Sequence, residues 1–293
     1  MDKHVVNPIQ WFPGHMAKTR RIISENLKEV DIVFELLDAR AVVSSRNPEI
    51  KKLTAGKPVL TLLNKSDLAD AGVNKKWLEY YKSAGERALL VDCKNFSGVN
   101  SIYPAVKDML REKLERYISK GMGGRRIRAM ILGIPNVGKS SLLNKLCGAP
   151  KAKVEDRPGV TVRKQWVSAK FKDSANMGLD LIDMPGVLWP KFESEEVALN
   201  LAWIGSIKDD ILDSPENAAK LCGFLCNKYP AELSARYKLD LPGGIGDYEI
   251  FEMIARKRGF IVGGGEIDDE RCAKTILTEF RAAKIGRVSL EAP

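Results

Sequence analysis

The sequence predicts an α/β domain with a mainly parallel sheet, followed by a small all-helical C-terminal domain. Short apolar runs alternate with helical stretches through the first two thirds of the 293 residues, which is the pattern of α/β folds. After about Lys191 these runs stop, and stretches with helical periodicity and helix-start signals replace them. We therefore predict two domains, residues 1–192 and residues 193–293.

Each predicted strand is a short apolar run that is followed at once by a polar or glycine-rich turn. The runs lie at residues 31–37, 59–63, 88–91, 127–132, 164–169 and 179–182. Apolar runs this short are typical of buried parallel strands. Ligands bind at the carboxyl ends of the strands in such sheets, so the turns after these runs are the predicted location of a site.

The predicted C-terminal domain contains clear helix starts. Residues 194–196 (Ser-Glu-Glu) and 214–216 (Ser-Pro-Glu) each combine a capping serine with early carboxylates. A further helix is predicted over residues 268–284. Its apolar face would contain Cys272, Ile276, Phe280 and Ala283.

Composition restricts the class of protein. Hydrophobic residues make up 44% and charged residues 29%, as in ordinary soluble globular proteins. No apolar run approaches the roughly 20 residues that span a bilayer. The N-terminus has neither the pattern of a secretory signal nor that of a transit peptide, which predicts a cytoplasmic protein. The net charge of +9 is compatible with RNA, DNA or anionic membrane partners.

The five cysteines are scattered, and no two form a C-x-x-C pair. An odd number of dispersed cysteines in a long chain indicates reduced thiols rather than a disulfide framework or a zinc site. Cys222 and Cys226 lie four residues apart and would share a helix face. We interpret them as apolar core positions.

Residues 133–140, Gly-Ile-Pro-Asn-Val-Gly-Lys-Ser, match the phosphate-binding pattern G-x-x-x-x-G-K-[ST]. The motif follows a predicted strand and leads into a helix, so its backbone N–H groups and the helix N-terminus can bind phosphate. Lys139 should reach the β- and γ-phosphates and act in catalysis, and Ser140 should ligate Mg²⁺. The predicted nucleotide contacts are Asn136, Val137, Gly138, Lys139, Ser140 and Ser141. The motif alone does not distinguish ATP from GTP.

Residues 64–67, Asn-Lys-Ser-Asp, make that distinction. They directly follow the predicted strand 59–63. The Asp67 carboxylate can accept hydrogen bonds from the N1–H and the exocyclic amine of guanine, a pair of donors that adenine lacks. Asn64 should tie this loop to the P-loop, and the stem of Lys65 should cover the base. Asn64, Lys65, Ser66 and Asp67 are therefore predicted to bind GTP.

Two further segments are predicted to sense the γ-phosphate and Mg²⁺. Asp183 follows the strand 179–182 and begins the sequence Asp-Met-Pro-Gly, so it should hold a Mg²⁺-bound water while the Gly186 amide contacts the γ-phosphate. Thr161 lies between the P-loop and that motif. Its hydroxyl is predicted to join Mg²⁺ in the triphosphate state and to contribute to catalysis.

On these residues the chain resembles the circularly permuted GTPases of the YlqF/RbgA family, the bacterial ribosome biogenesis GTPase A group. Conventional GTPases have the P-loop first and N-K-x-D last, whereas here N-K-x-D begins at Asn64 and the P-loop at Gly133. Joining the old termini and cutting elsewhere preserves which strands are neighbours. The resemblance also covers residues 10–18, 38–40 and 44–48. Residues 41–43 (Ala-Val-Val) depart from the usual Ile-Pro-Leu of the family.

The resemblance implies further site residues. Asp92 and Cys93 occupy the place of a loop that covers the base. The residue after Gly186 is Val187, where many GTPases carry a water-orienting glutamine, so hydrolysis must be organised in another way. Either Asn136 helps bind a K⁺ ion that neutralises growing charge, or His15 positions the water or shuttles a proton. Both alternatives stay open on the sequence.

The resemblance also implies a role in assembling the large ribosomal subunit, with GTP favouring attachment and hydrolysis driving release. We predict that the chain acts as a monomer. A basic stripe on the last predicted helix, at Arg271, Lys274, Thr278, Arg281 and Lys284, is predicted to contact ribosomal RNA. It is equally compatible with a solvated helix face. Two other functions remain open: a P-loop ATPase, and an RNA-binding protein whose GTP switch turns over negligibly.

Overall fold

A computed structural model describes residues 13–54, 56–148, 166–169, 178–184, 194–207 and 214–293. For residues 13–19 and for Asp183 it describes the backbone alone, so nothing follows for the side chains of His15 and Asp183. Thr161 and Gly186 lie outside the described residues.

The sheet is mainly parallel. Its strands are β1 (Ile32–Asp38), β2 (Val59–Asn64), β3 (Arg87–Leu90), β4 (Ile127–Leu132), β5 (Trp166–Ala169) and β6 (Leu179–Asp183). Their spatial order is β3-β2-β1-β4-β6-β5, and among the described strands β5 is the antiparallel one. The apolar runs seen in the sequence therefore form the sheet, and the predicted fold class is confirmed.

The chain changes its direction of winding between β1 and β4, which lie side by side. From β1 it proceeds through β2 to β3 on one side, and from β4 the strands β6 and β5 lie on the other side. The carboxyl ends match on each side of this point, since Asp38 pairs with Asn64 and Ile131 pairs with Asp183. Leu132, the last residue of β4, pairs with Glu35, so β1 continues to Asp38 beyond the end of β4. Such a switch point opens a crevice at the carboxyl edge, where parallel sheets bind ligands.

Helices follow the strands and form the C-terminal part. Those before and between the strands are α1 (Pro13–Leu27), α2 (Pro48–Leu53), α3 (Ala71–Ser83), α4 (Ile102–Met109), α5 (Arg111–Ser119) and α6 (Lys139–Cys147). Those of the C-terminal part are α7 (Glu195–Trp203), α8 (Ser214–Lys228), α9 (Pro230–Tyr237), α10 (Asp247–Arg258) and α11 (Asp269–Arg281). No helix of the described ranges is long and apolar enough to cross a membrane.

The predicted helix starts are present. The Ser194 hydroxyl accepts a hydrogen bond from the Val197 amide at the start of α7, and the Asp268 carboxylate accepts one from the Arg271 amide at the start of α11. The predicted end of α11 was wrong, because the helix stops at Arg281. Ala283 has a left-handed φ of +51°, which ends the helical path three residues after Phe280.

One apolar cluster runs through both predicted domains. It joins sheet residues such as Ile32 and Ile131 to residues of α7, α8 and α11, among them Leu201, Leu221 and Ile276. Cys222 is fully buried in this cluster and Cys226 packs against it, which confirms their interpretation as core positions. The boundary at residue 192 stays a prediction.

Candidate nucleotide site

A cavity of about 940 Å³ lies at the carboxyl edge of the sheet and is lined by both motifs found in the sequence. Asp67 and Lys65 of the Asn-Lys-Ser-Asp loop face it, and so do Asn136 and Gly138 of the P-loop. These two segments are about 70 residues apart in the chain. The sheet brings them together because β2 and β4 are both neighbours of β1.

The P-loop passes directly beneath the Asn64 side chain. Gly138 has φ +107°, and a Cβ placed there would overlap the Asn64 amide nitrogen. The Gly138 carbonyl accepts the first helical hydrogen bond of α6, from Leu142, at 2.9 Å. Glycine is therefore required at this position by both conformation and close approach.

Asn64 joins three segments of the site. Its Nδ2 donates to the Val137 carbonyl at 2.7 Å, and its Oδ1 accepts from the Cys93 amide at 3.0 Å. Asn64 is buried, so both hydrogen bonds are shielded from water. The predicted link between the guanine loop, which we define as residues 64–70, and the P-loop is confirmed. The same side chain also holds the loop that follows β3.

Lys139 is buried at the N-terminus of α6. Its ammonium donates to the carbonyl oxygens of Gly133 and Ile134, at 3.1 and 2.7 Å. Its positive charge is thus held against the backbone that is predicted to cradle phosphate. Ser140 and Ser141 are half-buried in the same first turn.

Asp67 is half-buried in the wall of the cavity. Among the described residues, no hydrogen bond or ion pair engages its carboxylate, in contrast to Asp38 and Asp92 nearby. A carboxylate that faces a cavity can accept two hydrogen bonds from one ligand edge. Its position therefore fits the predicted role in guanine recognition.

Comparison with known proteins agrees with this geometry. Residues 128–218 match the family model described as 50S ribosome-binding GTPase. Ribosome biogenesis GTPase A of Priestia megaterium is 46% identical over 287 residues, which are 97% of each chain. The chain belongs to the ribosome biogenesis GTPase A family. The resemblance inferred from the motifs is thus confirmed.

The chain is also similar to more distant relatives and to solved structures. Mitochondrial ribosome-associated GTPase 1 of Mus musculus is 30% identical, covering 96% of this chain and 90% of the mouse protein. The solved structure of GNP-bound YlqF from T. maritima has a TM-score of 0.62 at 28% identity and covers 94% of this chain and 98% of its own. A GDP-bound YlqF structure has a TM-score of 0.63 at 28% identity, covering 93% and 99%.

In this family member a buried ion cluster supports the guanine loop from below. Asp38, at the end of β1, accepts two hydrogen bonds from the Arg40 guanidinium, at 2.9 and 2.8 Å, and pairs with the Lys65 ammonium at 3.0 Å. Burial alone would raise the pKa of Asp38, but Arg40 and Lys65 hold that pKa below its ordinary value. Lys65, at a left-handed φ of +58°, is therefore anchored by its head while its stem lines the cavity.

The loop after β3 is shaped by Asp92. Its Oδ1 accepts from the amides of Lys94 and Asn95, and Asn95 also donates to its Oδ2 at 2.6 Å. Asp92 and Cys93 both line the cavity, as the resemblance implies. The Cys93 amide is already bonded to Asn64, and burial raises the pKa of its thiol to about 12. The neutral thiol side chain therefore acts as an apolar wall.

Asn136 connects the P-loop of this GTPase-family fold to the C-terminal part. It has a left-handed φ of +56°, and its Nδ2 donates to the Gly205 carbonyl at 2.9 Å. Next to it, the Ser206 hydroxyl donates to the Pro135 carbonyl at 3.1 Å. The segment after α7 thus lies against the outer side of the P-loop. Sequence reasoning did not find this contact, because no local pattern marks it.

Arg281 departs from the predicted basic stripe. It is half-buried, lines the nucleotide cavity and donates to the carbonyls of Trp203 and Ala202, at 3.1 and 2.7 Å. Lys274 lies seven residues earlier, only about 20° away around the helix axis, and is exposed, so the docking of α11 against the end of α7 is what covers Arg281. The prediction that Arg281 belongs to an exposed stripe was wrong, whereas its predicted contact with RNA stays a prediction. Arg271, Lys274, Thr278 and Lys284 are exposed.

Arg40 is another cavity residue whose place in the site was not predicted from the sequence. It is 2% exposed, lines the cavity and stacks over the Phe280 ring, with 5.6 Å from its Cζ to the ring centroid. Its position directly after a buried strand was the available signal. That signal indicates a turn that faces the site. It gives no information on which side chains of α11 pack against Arg40.

Proposed function

We propose that the chain binds GTP, hydrolyses it to GDP and phosphate, and acts in assembly of the large ribosomal subunit. The observation that carries the proposal is that Asp67 and the P-loop line one cavity at the switch point of the sheet. Asp67 would select guanine, and Lys139 with the start of α6 would bind the phosphates. Membership of the ribosome biogenesis GTPase A family supports the biological role.

Mg²⁺ prefers oxygen ligands, and two residues with oxygen-bearing side chains belong to elements that end or begin at the carboxyl edge. Ser140 lies in the first turn of α6, and Asp183 ends β6, which is paired to the strand that leads into the P-loop. Ser140, Asp183 and Thr161 are proposed as the residues that hold the ion. When bound, Mg²⁺ supplies positive charge to the β- and γ-phosphate oxygens. The Gly186 amide is proposed to contact the γ-phosphate.

Two groups are proposed to organise water attack in the absence of a glutamine at position 187. Asn136 would help hold K⁺ beside the phosphates, and His15 would position the water when the N-terminal segment meets the ribosomal partner. We expect Asn136→Ala to remove the stimulation of GTP turnover by K⁺ over Na⁺, a loss of about tenfold, because one charge-stabilising interaction is removed. Steady-state turnover in each salt measures this effect.

The variant His15→Ala tests the proposed role of the histidine in the same turnover assay. We expect it to keep the K⁺ response and to lose turnover only in the presence of large subunits. Lys82→Ala, which removes an exposed cation on α3, is the matched control. If the K⁺ response survives in Asn136→Ala, the proposed K⁺ site at Asn136 is wrong. If subunit-stimulated turnover is unchanged in His15→Ala, the proposed role of His15 in hydrolysis is wrong.

The ribosomal contact is proposed to be RNA phosphate bound by exposed cations of the C-terminal part, Arg271, Lys274 and Lys284. The chain would act as a cytoplasmic monomer. Co-sedimentation with purified large subunits tests this role, and we expect retention with a non-hydrolysable GTP analogue and release with GDP. Equal retention with both nucleotides would contradict a GTP-controlled assembly factor.

The same assay tests the cations. Lys274→Ala with Lys284→Ala is expected to weaken binding by about tenfold at low salt and to reduce the log–log salt slope by about two, because two phosphate contacts are lost. Lys82→Ala with Arg87→Ala, which removes two exposed cations on α3 and β3, should change neither quantity. An equal effect of both pairs would indicate general charge attraction instead of a defined contact.

A further inference from the structure

The last residues of the chain return to the nucleotide site. We define the C-terminal tail as residues 287–291, and it contacts the guanine loop, residues 64–70. Although about 220 residues separate them in sequence, the tail lies along the guanine loop and hydrogen-bonds to it.

Three hydrogen bonds from the tail surround Asp67 without touching its carboxylate. Arg287 donates from Nη2 to the Ser66 carbonyl at 3.2 Å, and the Val288 amide donates to the Leu68 carbonyl at 3.2 Å. The Ser289 hydroxyl accepts from the Asp70 amide at 3.1 Å. The backbone on both sides of Asp67 is therefore held by the tail, while the carboxylate itself stays available to a ligand.

The tail is firmly anchored on its far side. The Leu290 amide donates to the Arg40 carbonyl at 2.7 Å. The half-buried Glu291 carboxylate accepts from the amides of Val43 and Ser44, at 2.6 and 3.0 Å, and from the Asn200 side chain at 3.1 Å. The position of the guanine loop is thus tied through the tail to α7 and to the turn after β1.

The inner side of the guanine loop has its own supports. The Ser66 amide and hydroxyl donate to the Val91 carbonyl at 3.2 and 3.0 Å, and Asn74 donates to the Ser66 carbonyl at 3.0 Å. These contacts lie on Ser66, before Asp67. After Asp67, the Leu68 amide donates to the Lys65 carbonyl at 2.9 Å, and Asp70 caps the start of α3. The tail adds the bonds to the Leu68 carbonyl and the Asp70 amide, and so ties this segment to the turn after β1 and to α7.

We propose that the C-terminal tail is a positioning element for guanine recognition. It holds the Asp67 carboxylate in the position where that group can accept two hydrogen bonds from the base edge. The proposal rests on the proposed role of Asp67 as the guanine acceptor. Hydrogen bonds weaken steeply with misalignment, so a small shift of this loop weakens the bonds from the base to Asp67, including the one from the exocyclic amine.

Nucleotide selectivity distinguishes this role from simple support of the fold. Inosine keeps the N1–H of guanine but lacks the exocyclic amine, so the ratio of GDP to IDP affinity reports the second hydrogen bond to Asp67. A tail that only stabilised the fold would reduce the fraction of active protein. It would leave the affinity ratio of the active fraction unchanged.

The test compares Arg287→Ala, Ser289→Ala and their double variant with the unaltered full-length chain. We expect the double variant to bind GDP about tenfold more weakly, since each hydrogen bond contributes a fewfold factor, and to show a reduced GDP-to-IDP ratio. Arg287→Lys, which keeps a donor, should restore most of the affinity. Arg87→Ala, an exposed arginine on β3, is the matched control. Equilibrium titration gives both affinities and the active fraction.

The outcomes separate the tail from the site itself. If the unaltered chain discriminates GDP from IDP and the tail variants keep both the affinity and the ratio, the positioning role is wrong while the guanine site stands. A lower active fraction with an unchanged ratio also overturns it. If the unaltered chain itself does not discriminate, the assignment of Asp67 fails, and the tail proposal fails with it.

Discussion

Replacing Asp67 by asparagine is expected to lower the affinity for GDP and GTP by at least about a hundredfold. Two hydrogen bonds to a charged acceptor contribute about 1.5–3 kcal/mol each, and every 1.4 kcal/mol corresponds to about tenfold in affinity. The asparagine oxygen can still accept from the guanine N1–H. Its amide group, however, would face the exocyclic amine of the base, so that two donors oppose each other.

The same substitution is expected to favour xanthine nucleotides. Xanthine carries a carbonyl where guanine carries the amine, so the asparagine amide can donate to it while the oxygen accepts from N1–H. Competition titrations with GDP, XDP and ADP measure the change directly. Asp108→Asn, which removes an exposed carboxylate on α4, should alter none of these affinities. If the unaltered chain binds ADP and GDP with equal affinity, the proposed role of Asp67 in base recognition is wrong.

The sequence was sufficient for those parts of the site that depend on local pattern. The strand before the P-loop runs from Ile127 to Leu132, as predicted, because its apolar residues are buried on both faces of a central strand. The link from Asn64 to the P-loop was predictable for a similar reason. Both segments follow buried parallel strands, and the carboxyl ends of such strands meet at one edge.

The contacts that the sequence did not predict come from distant packing. Arg281 has the charge and approximate spacing of an exposed stripe residue, and only the docking of α11 against the end of α7 turns it toward the cavity. Arg287 and Ser289 lie in a segment with no periodicity that would place them beside the guanine loop. Local sequence determines which face of a helix is apolar, whereas the partner of each polar side chain depends on how the elements pack.

Substitution of Gly138 by alanine is expected to weaken GDP and GTP binding by more than about a hundredfold, because it combines backbone strain with a steric overlap. A residue with a side chain at φ +107° is strained by about 1–3 kcal/mol. The new Cβ would also overlap the Asn64 amide nitrogen. Asn64 cannot move away easily, since it is buried and bonded to both Val137 and Cys93. Either the P-loop or the guanine loop must shift, and each shift separates two segments that bind the same nucleotide.

A second glycine separates the overlap from the strain. Gly85 has φ +70° and lies in an exposed turn where an added Cβ would meet nothing within 4 Å. Gly85→Ala should therefore lower the free energy of unfolding by about 1–2 kcal/mol and leave nucleotide affinity unchanged. Thermal unfolding and GDP titration of both variants measure the two effects. Equal affinity losses in Gly138→Ala and Gly85→Ala would contradict a specific effect of the Gly138–Asn64 contact, because general destabilisation would then account for both. The Asn64 link would in that case have no part in holding the two halves of the site together.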